Sequence, residues 1–262
     1  MTRRRLFFPC AGVQLGGTLD EAPGNTGLLI VTGGNEVRGG AWNGQALLAA
    51  RLAAAGIPVF RFDRRGVGDS AGENAGFRGS TDDIAAAMAA FRAACPQLTR
   101  VVAHGNCDGA SALLLAGGGG ADALVLSNPW TFDADEAPAE AMPASAVRNR
   151  YLAKLKNPRE VWRLLSGGVN LMKLARGLRA AAASAPPAPT GLVAEMRAGL
   201  EQYRGPVRIL LADNDRTAQA FLAQWTQADP RLARCAGASH SFVEPHARDW
   251  LFEQLCAALR AN

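Results

Sequence analysis

The residue with the clearest chemical prospects in this sequence is a thiol, Cys107, set in Gly105-Asn106-Cys107-Asp108-Gly109. An apolar run from Arg100 leads into it and an Ala/Leu-rich run follows it, so the five residues lie where a strand becomes a helix. Gly-x-nucleophile-x-Gly at such a junction is the pattern of a nucleophile elbow. The turn is so sharp that its central residue takes a strained, positive φ. The neighbours two residues away must then lack bulk, which Gly105 and Gly109 satisfy. The helix that starts there aims free N–H groups and the positive end of its dipole at the sulfur, and so favours a thiolate. Such a thiol suits attack on an acyl carbonyl.

A nucleophile of this kind needs a base, and the base needs a group to orient it. The order nucleophile, acid, histidine is met downstream. Asp215 follows the apolar run that ends at Ala212, and His240 sits in Gly237-Ala-Ser-His240-Ser-Phe after a last short strand. The sequence has only three histidines. His104 lies inside the strand that leads to the elbow, where its side chain should point away from Cys107, and His246 comes six residues late at a helix start. Asp213 rivals Asp215 as the acid; Asp215 is preferred because it stands a few residues beyond the strand end. Oxyanion donors are backbone N–H groups and are identified by position: Asp108, after the nucleophile, and Asn35 or Gly34, after the run Gly27–Thr32. Gly33-Gly34 lets backbone approach a substrate closely.

These residues need a scaffold, and the hydrophobic pattern supplies one. Leu6–Pro9 and Val13–Leu19 read as an opening hairpin. Gly27–Thr32, Pro58–Asp63, Arg100–Ala103, Ala123–Ser127, Pro206–Ala212 and Arg231–Cys235 read as strands, mostly of the continuous apolar kind buried on both faces. Helices are expected over Ala46–Gly56, from Ser80 with that residue as N-cap and Asp83 three residues on, after the elbow, at Ala218–Trp225 and at Ala247–Leu259. Alternating strand and helix predicts an α/β fold with a mostly parallel sheet covered on both faces. The rhythm breaks after Asn128. An acidic loop (Asp133, Asp135, Glu136, Glu140), helical segments around Ala146–Leu165 and Asn170–Ala183, a Pro/Ala linker at Ser184–Thr190 and one more helix follow. The expected division is a core of residues 1–129 and 202–262 with a helical lid over 130–201. Between Arg148 and Arg179 nine basic residues face a single carboxylate, Glu160, which leaves room for an anionic substrate.

Composition narrows the function classes. With 262 residues and 48% hydrophobic content the chain can bury a large core. Net charge is +5, and no Lys/Arg run is interleaved with aromatics, so nucleic acid is not an expected partner. No apolar run reaches the length of a transmembrane segment, and the apolar stretch behind Arg3-Arg4-Arg5 is too short for a signal peptide. The five scattered cysteines include no Cys-x-x-Cys, which argues against a zinc site or a disulfide framework and fits the cytoplasm. The partner expected is a small-molecule acyl substrate, and the chemistry calls for no metal or organic cofactor.

Asp63-Arg64-Arg65-Gly66-Val67-Gly68-Asp69-Ser70 resembles the Asp-x-Arg-Gly-x-Gly-x-Ser turn common in α/β-hydrolases, where it braces the sheet edge near the elbow. With the lid, the whole chain resembles one narrower family, the exosortase A system-associated hydrolases (type 1). The resemblance is carried by Phe8-Pro-Cys10, Gly33-Gly34 with Arg38, Ala53–Asp63, Gly66–Ser70, Cys107–Ser111, Asn128-Pro-Trp130, Tyr151–Leu155 and Trp162–Gly167. It implies an α/β-hydrolase fold with an inserted helical lid. It also implies a cysteine hydrolase or acyltransferase encoded beside exopolysaccharide and protein-sorting genes. Where such proteins tend to read Arg-x-Gly-Ser-His-Arg-Gln, this chain reads Arg38-Gly-Gly-Ala-Trp-Asn-Gly-Gln45, a departure in the wall beside the oxyanion position. The reading is an esterase or thioesterase using Cys107, His240 and Asp215. An acyltransferase with the same triad, or a binding protein that keeps the fold without the chemistry, are the alternatives.

Overall fold

In a computed structural model of the chain, residues 2–132 and 191–261 are described. The acidic loop, the lid helices expected within 146–183 and the Pro/Ala linker all fall outside them.

Eight strands form one sheet. In chain order they are β1 (Arg3–Cys10), β2 (Val13–Asp20), β3 (Thr26–Val31), β4 (Val59–Phe62), β5 (Arg100–Asn106), β6 (Ala123–Ser127), β7 (Val207–Ala212) and β8 (Leu232–Cys235). Their spatial order is β1-β2-β4-β3-β5-β6-β7-β8. The opening hairpin is antiparallel, β2 also runs antiparallel to β4, and every other pairing is parallel. Among the described residues six helices accompany the strands: α1 (Gly44–Ala54), α2 (Thr81–Ala94), α3 (Asp108–Leu115), α4 (Gly191–Gln202), α5 (Arg216–Gln224) and, after the last strand, α6 (Pro245–Arg260). A 3₁₀ turn at Ala41–Asn43 precedes α1.

Alternation along β3 shows how the sheet divides the core. Leu28 and Ile30 face one layer, with Val102, Val125, Leu210 and the α6 residues Leu255 and Leu259. Leu29 and Val31 face the other, with Ala103, Phe60, Phe91 of α2, Leu113 of α3 and Phe221 of α5. Side chains of successive strand residues point to opposite faces, so a strand with both faces covered reads as an unbroken apolar run. The expected lid boundary at 201 falls near the end of α4. That helix buries Leu192, Val193, Met196 and Leu200 in the second of these layers, so packing counts it with the core.

One local expectation meets stronger competition. Ser80 stands at the N-cap position of α2, but its side chain makes no capping bond. Its hydroxyl instead donates to Gly76 O at 2.8 Å and accepts from Arg64 Nη1 at 3.2 Å. Asp83, three residues on, holds Arg65 at 2.7 Å and accepts from Cys10 Sγ at 3.3 Å, so no capping box forms.

Candidate active site

Cys107 sits between β5 and α3 with φ 57° and ψ −129°, at the N-cap of α3. The glycines beside it are dictated by contact. A Cβ on Gly105 would lie 2.5 Å from the carbonyl carbon and oxygen of Gly109, and one on Gly109 would lie 2.6 Å from Val31 O. Strand and helix therefore touch backbone to backbone, and the thiol projects from the turn between them. The other four cysteines, Cys10, Cys95, Cys235 and Cys256, are buried, and burial pushes their thiols up. Cys107 alone of the five is partly open to solvent.

His240 lies in the turn between β8 and α6, and Asp215 follows β7. His240 Nδ1 is 2.9 Å from Asp215 Oδ2. The imidazole is pushed up to about 10. Burial works against its charge, but hydrogen bonds and the negative charge of Asp215 and Cys107 outweigh it. Asp215 is only 6% exposed and has a second task. As N-cap of α5 it accepts from Thr217 N at 3.2 Å and Ala218 N at 3.1 Å, which fixes the carboxylate that faces the histidine. Asp213 points elsewhere and pairs with Arg234 at 2.8 Å. His246 Nε2 is 3.0 Å from Ala236 O, and His104 Nδ1 is 3.0 Å from Val125 O, so neither joins the cluster.

Two asparagines hold the histidine turn from below. Asn128 Nδ2 donates to His240 O at 3.0 Å and Asn106 Nδ2 does so at 3.4 Å. Asn128 is fully buried with φ 44°, and its Oδ1 accepts from Ala212 N at 2.8 Å. It thereby ties the ends of β6 and β7 to the turn that carries His240. Neither asparagine was singled out for a role from sequence, since each meets a backbone group more than a hundred residues away.

The loop after β3 is clamped from both sides. Gly34 N donates to Asp108 Oδ1 at 2.5 Å, and Gly34 O accepts from Arg64. Arg64 is buried and lies 3.4 Å from Asp108 Oδ1, which closes the ring. The sequence places Gly34, Asn35 and Asp108 at the oxyanion position, and here the Gly34 N–H is engaged by the Asp108 side chain. The backbone N–H groups of Asp108 and Asn35 carry no bond among the described residues. The Asp63 turn supports this loop. Asp63, fully buried, accepts from Arg38 N at 2.6 Å, from Asp69 N at 3.0 Å and from the Arg38 guanidinium. At Gly68, with φ 54°, a Cβ would lie 2.4 Å from the Asp63 carboxylate.

No cluster of residues suited to hold a metal occurs among the described residues, and no helix there is long and apolar enough to cross a membrane.

A family model described as "Alpha/beta hydrolase family" matches residues 28–254. No curated protein matches the chain. Among solved structures, the esterase Pf2001 of Pyrococcus furiosus is similar over 98% of this chain and 93% of its own, with a TM-score of 0.60 and 15% identity. XC6422 from Xanthomonas campestris, described as an a/b serine hydrolase without lid, is similar over 99% and 94%, with a TM-score of 0.58 and 18% identity. An alpha-beta serine hydrolase homologue from Coxiella burnetii is similar over 98% and 97%, with a TM-score of 0.58 and 19% identity. At such identities the likeness speaks for the fold.

Proposed function

The chain belongs to the alpha/beta hydrolase family, and from that premise we propose that it hydrolyses an acyl ester or thioester through a Cys107–His240–Asp215 triad. The observation that carries this reading is the His240 imidazole, bridged between Asp215 and the single cysteine open to solvent. A cationic imidazole beside the sulfur and the N-terminus of α3 place positive charge where the attacking sulfur and the developing oxyanion need it. Cys107 Sγ attacks the acyl carbonyl, and the C–O or C–S bond to the leaving group breaks. His240 gives its proton to the departing oxygen or sulfur. The resulting thioester is attacked by a water that gives its proton to His240, and collapse returns the thiolate. The Asp108 and Asn35 N–H groups are the proposed oxyanion donors, with Gly34 as the hinge between them and the Arg64–Asp108 clamp. A thiolate is a better leaving group than an amide nitrogen, so thioesters and activated esters suit this site better than peptides. The motif resemblance supports a place in exopolysaccharide- or exosortase-linked metabolism.

The test is turnover of an aryl ester and an acyl thioester. Cys107→Ala loses turnover of both while unfolding like the parent chain. Cys107→Ser retains little, because a hydroxyl needs a stronger base than an imidazole that is already protonated. Aryl ester hydrolysis by Cys107→Ala at the parent rate removes the thiol from the mechanism.

A further inference from the structure

The sheet face beneath α1 and α6 carries a hollow. A cavity of about 410 Å³ lies between α1, the turn at Ala41–Asn43 and the start of α6. Its lining includes His104, Trp42, Leu48, Phe242 and Leu251; Cys107 and His240 are not in it, although their chain neighbours Asn106 and Ser241 are. The volume is that of a small-ligand pocket, a class with mostly apolar walls and a few convergent polar atoms. Five large apolar side chains are exposed among the described residues. Trp42 and Leu47 line this cavity, and Val37 and Val243 are chain neighbours of lining residues. Phe7 is the exception.

Two acceptor atoms at the cavity are open to a ligand, His104 Nε2 and Gln45 Oε1. His104 is 4% exposed, and burial pushes its imidazole down to about 4, so the ring is neutral at neutral pH. Its Nδ1 faces the Val125 carbonyl at 3.0 Å, which requires the proton on Nδ1 and leaves a lone pair on Nε2. No hydrogen bond reaches Nε2. The Gln45 amide makes none either, and its oxygen is buried. Gln45 Oε1 is a buried acceptor without a partner, a situation polar atoms in folded proteins normally avoid, and His104 Nε2 is a second acceptor at the cavity wall, so the hollow is suited to a ligand that brings a donor. The charges at the cavity balance, Arg51 and Arg248 against Glu36 and Asp249, with Arg51 paired to Asp249 at 2.6 Å, which suits a neutral ligand. Arg51 lines the cavity, as does Arg248, whose guanidinium lies 5.3 Å from the Trp42 ring centroid.

We propose that this cavity binds a small neutral amphiphile, with an apolar body packed against Trp42, Leu48 and Phe242 and one O–H or N–H group that donates to His104 Nε2. The site stands whether or not Cys107 is catalytic, because it is read by binding. Benzyl alcohol and anisole are isomers that separate the two requirements: both supply the apolar body and only the alcohol supplies a donor. Titration of the full chain by ligand-observed NMR is expected to show the alcohol binding about tenfold more tightly. In protein labelled with ¹⁵N-histidine, only three ring pairs need assignment, and the alcohol is expected to shift the His104 Nε2 signal while anisole leaves it in place. His104→Leu is expected to abolish the preference and keep the weak binding of anisole. Ala41→Phe, which fills the cavity from its lining, is expected to remove both ligands and serves if His104→Leu does not fold. Equal affinity for the two isomers overturns the proposal. So does alcohol binding that leaves the His104 signal unmoved, and so does the absence of saturable binding by either.

Discussion

Asp215→Asn separates the two tasks of that carboxylate. Asparagine caps a helix about as well as aspartate does, so its single amide oxygen keeps one of the two bonds, to Thr217 N or to Ala218 N, while the charge facing His240 is lost. Raising an imidazole from its ordinary 6.5 to about 10 corresponds to about 5 kcal/mol in a fully shielded site. The His240 ring is 37% exposed and shares its displacement with Cys107, so solvent screening leaves about 1–2 kcal/mol for the loss of the Asp215 charge at pH 7. The sign follows from the direction. A group whose pKa is raised by folding adds stability that is complete below about pH 6.5 and disappears as pH rises through about 10. Urea unfolding of the parent and of Asp215→Asn at a series of pH values from mildly acidic to strongly alkaline is therefore expected to give curves that converge toward the alkaline end. Asp215→Ala loses the cap as well and falls a further ~1 kcal/mol at every pH. Turnover of an aryl ester by Asp215→Asn is expected to drop about 10²–10⁴-fold through loss of imidazole orientation. Parallel unfolding curves that never converge, or a larger loss of turnover in Asp213→Asn than in Asp215→Asn, would refute the assignment.

Other substitutions probe the frame around the thiol. Asp108→Ala frees the Gly34 N–H and leaves Arg64 without its carboxylate, so kcat/KM for the aryl ester is expected to fall about tenfold or more, with a small change in stability. An unchanged kcat/KM would show that the clamp does not set the oxyanion loop. Arg38→Ala strips the guanidinium from the buried Asp63 carboxylate and is expected to cost about 3 kcal/mol in chemical denaturation. Gly105→Ala places a methyl group 2.5 Å from the Gly109 backbone, where no rotamer relieves it. It is expected to lower stability by about 3 kcal/mol or prevent soluble folding, whereas Gly12→Ala, whose Cβ meets nothing within 4 Å, remains soluble despite its φ of 84°.

What the sequence discloses is what is local. Unbroken apolar runs mark β3 and β6 because both faces of a central strand are covered, and glycines flank Cys107 because backbone meets backbone there. The alternation of those runs with helices accounts for the parallel sheet. Asp215 and His240 are legible because each follows a readable strand. The supports of the site are not legible. Asn128 enters the sequence reading only as the start of Asn128-Pro-Trp130, and nothing local tells that it anchors the turn of a histidine 112 positions away. Arg64 lies in a recognisable turn, but nothing nearby tells that its guanidinium grips Gly34 O. Ser80 and Asp83 have the spacing of a capping box and fail to make one, because the guanidinium groups of Arg64 and Arg65 offer stronger partners. Tertiary charge pairing overrides local propensity at each of these points.

The order in which the strands add to the sheet has a consequence for the protein as it is made. Cys107 leaves β5, in the middle of the sheet, whereas Asp215 leaves β7 and His240 leaves β8. A chain emerging from the ribosome exposes its thiol long before the imidazole exists to take its proton. On the proposed mechanism, the sulfur of the growing polypeptide lacks its base and is spared premature acylation. On the proposed triad, full reactivity waits until β8 docks on β7, and β7 must itself pair with β6, whose register partners Leu124 and Val207 are far apart in sequence. If the proposed triad holds, rapid labelling of Cys107 by an acylating probe is expected to track the completion of folding.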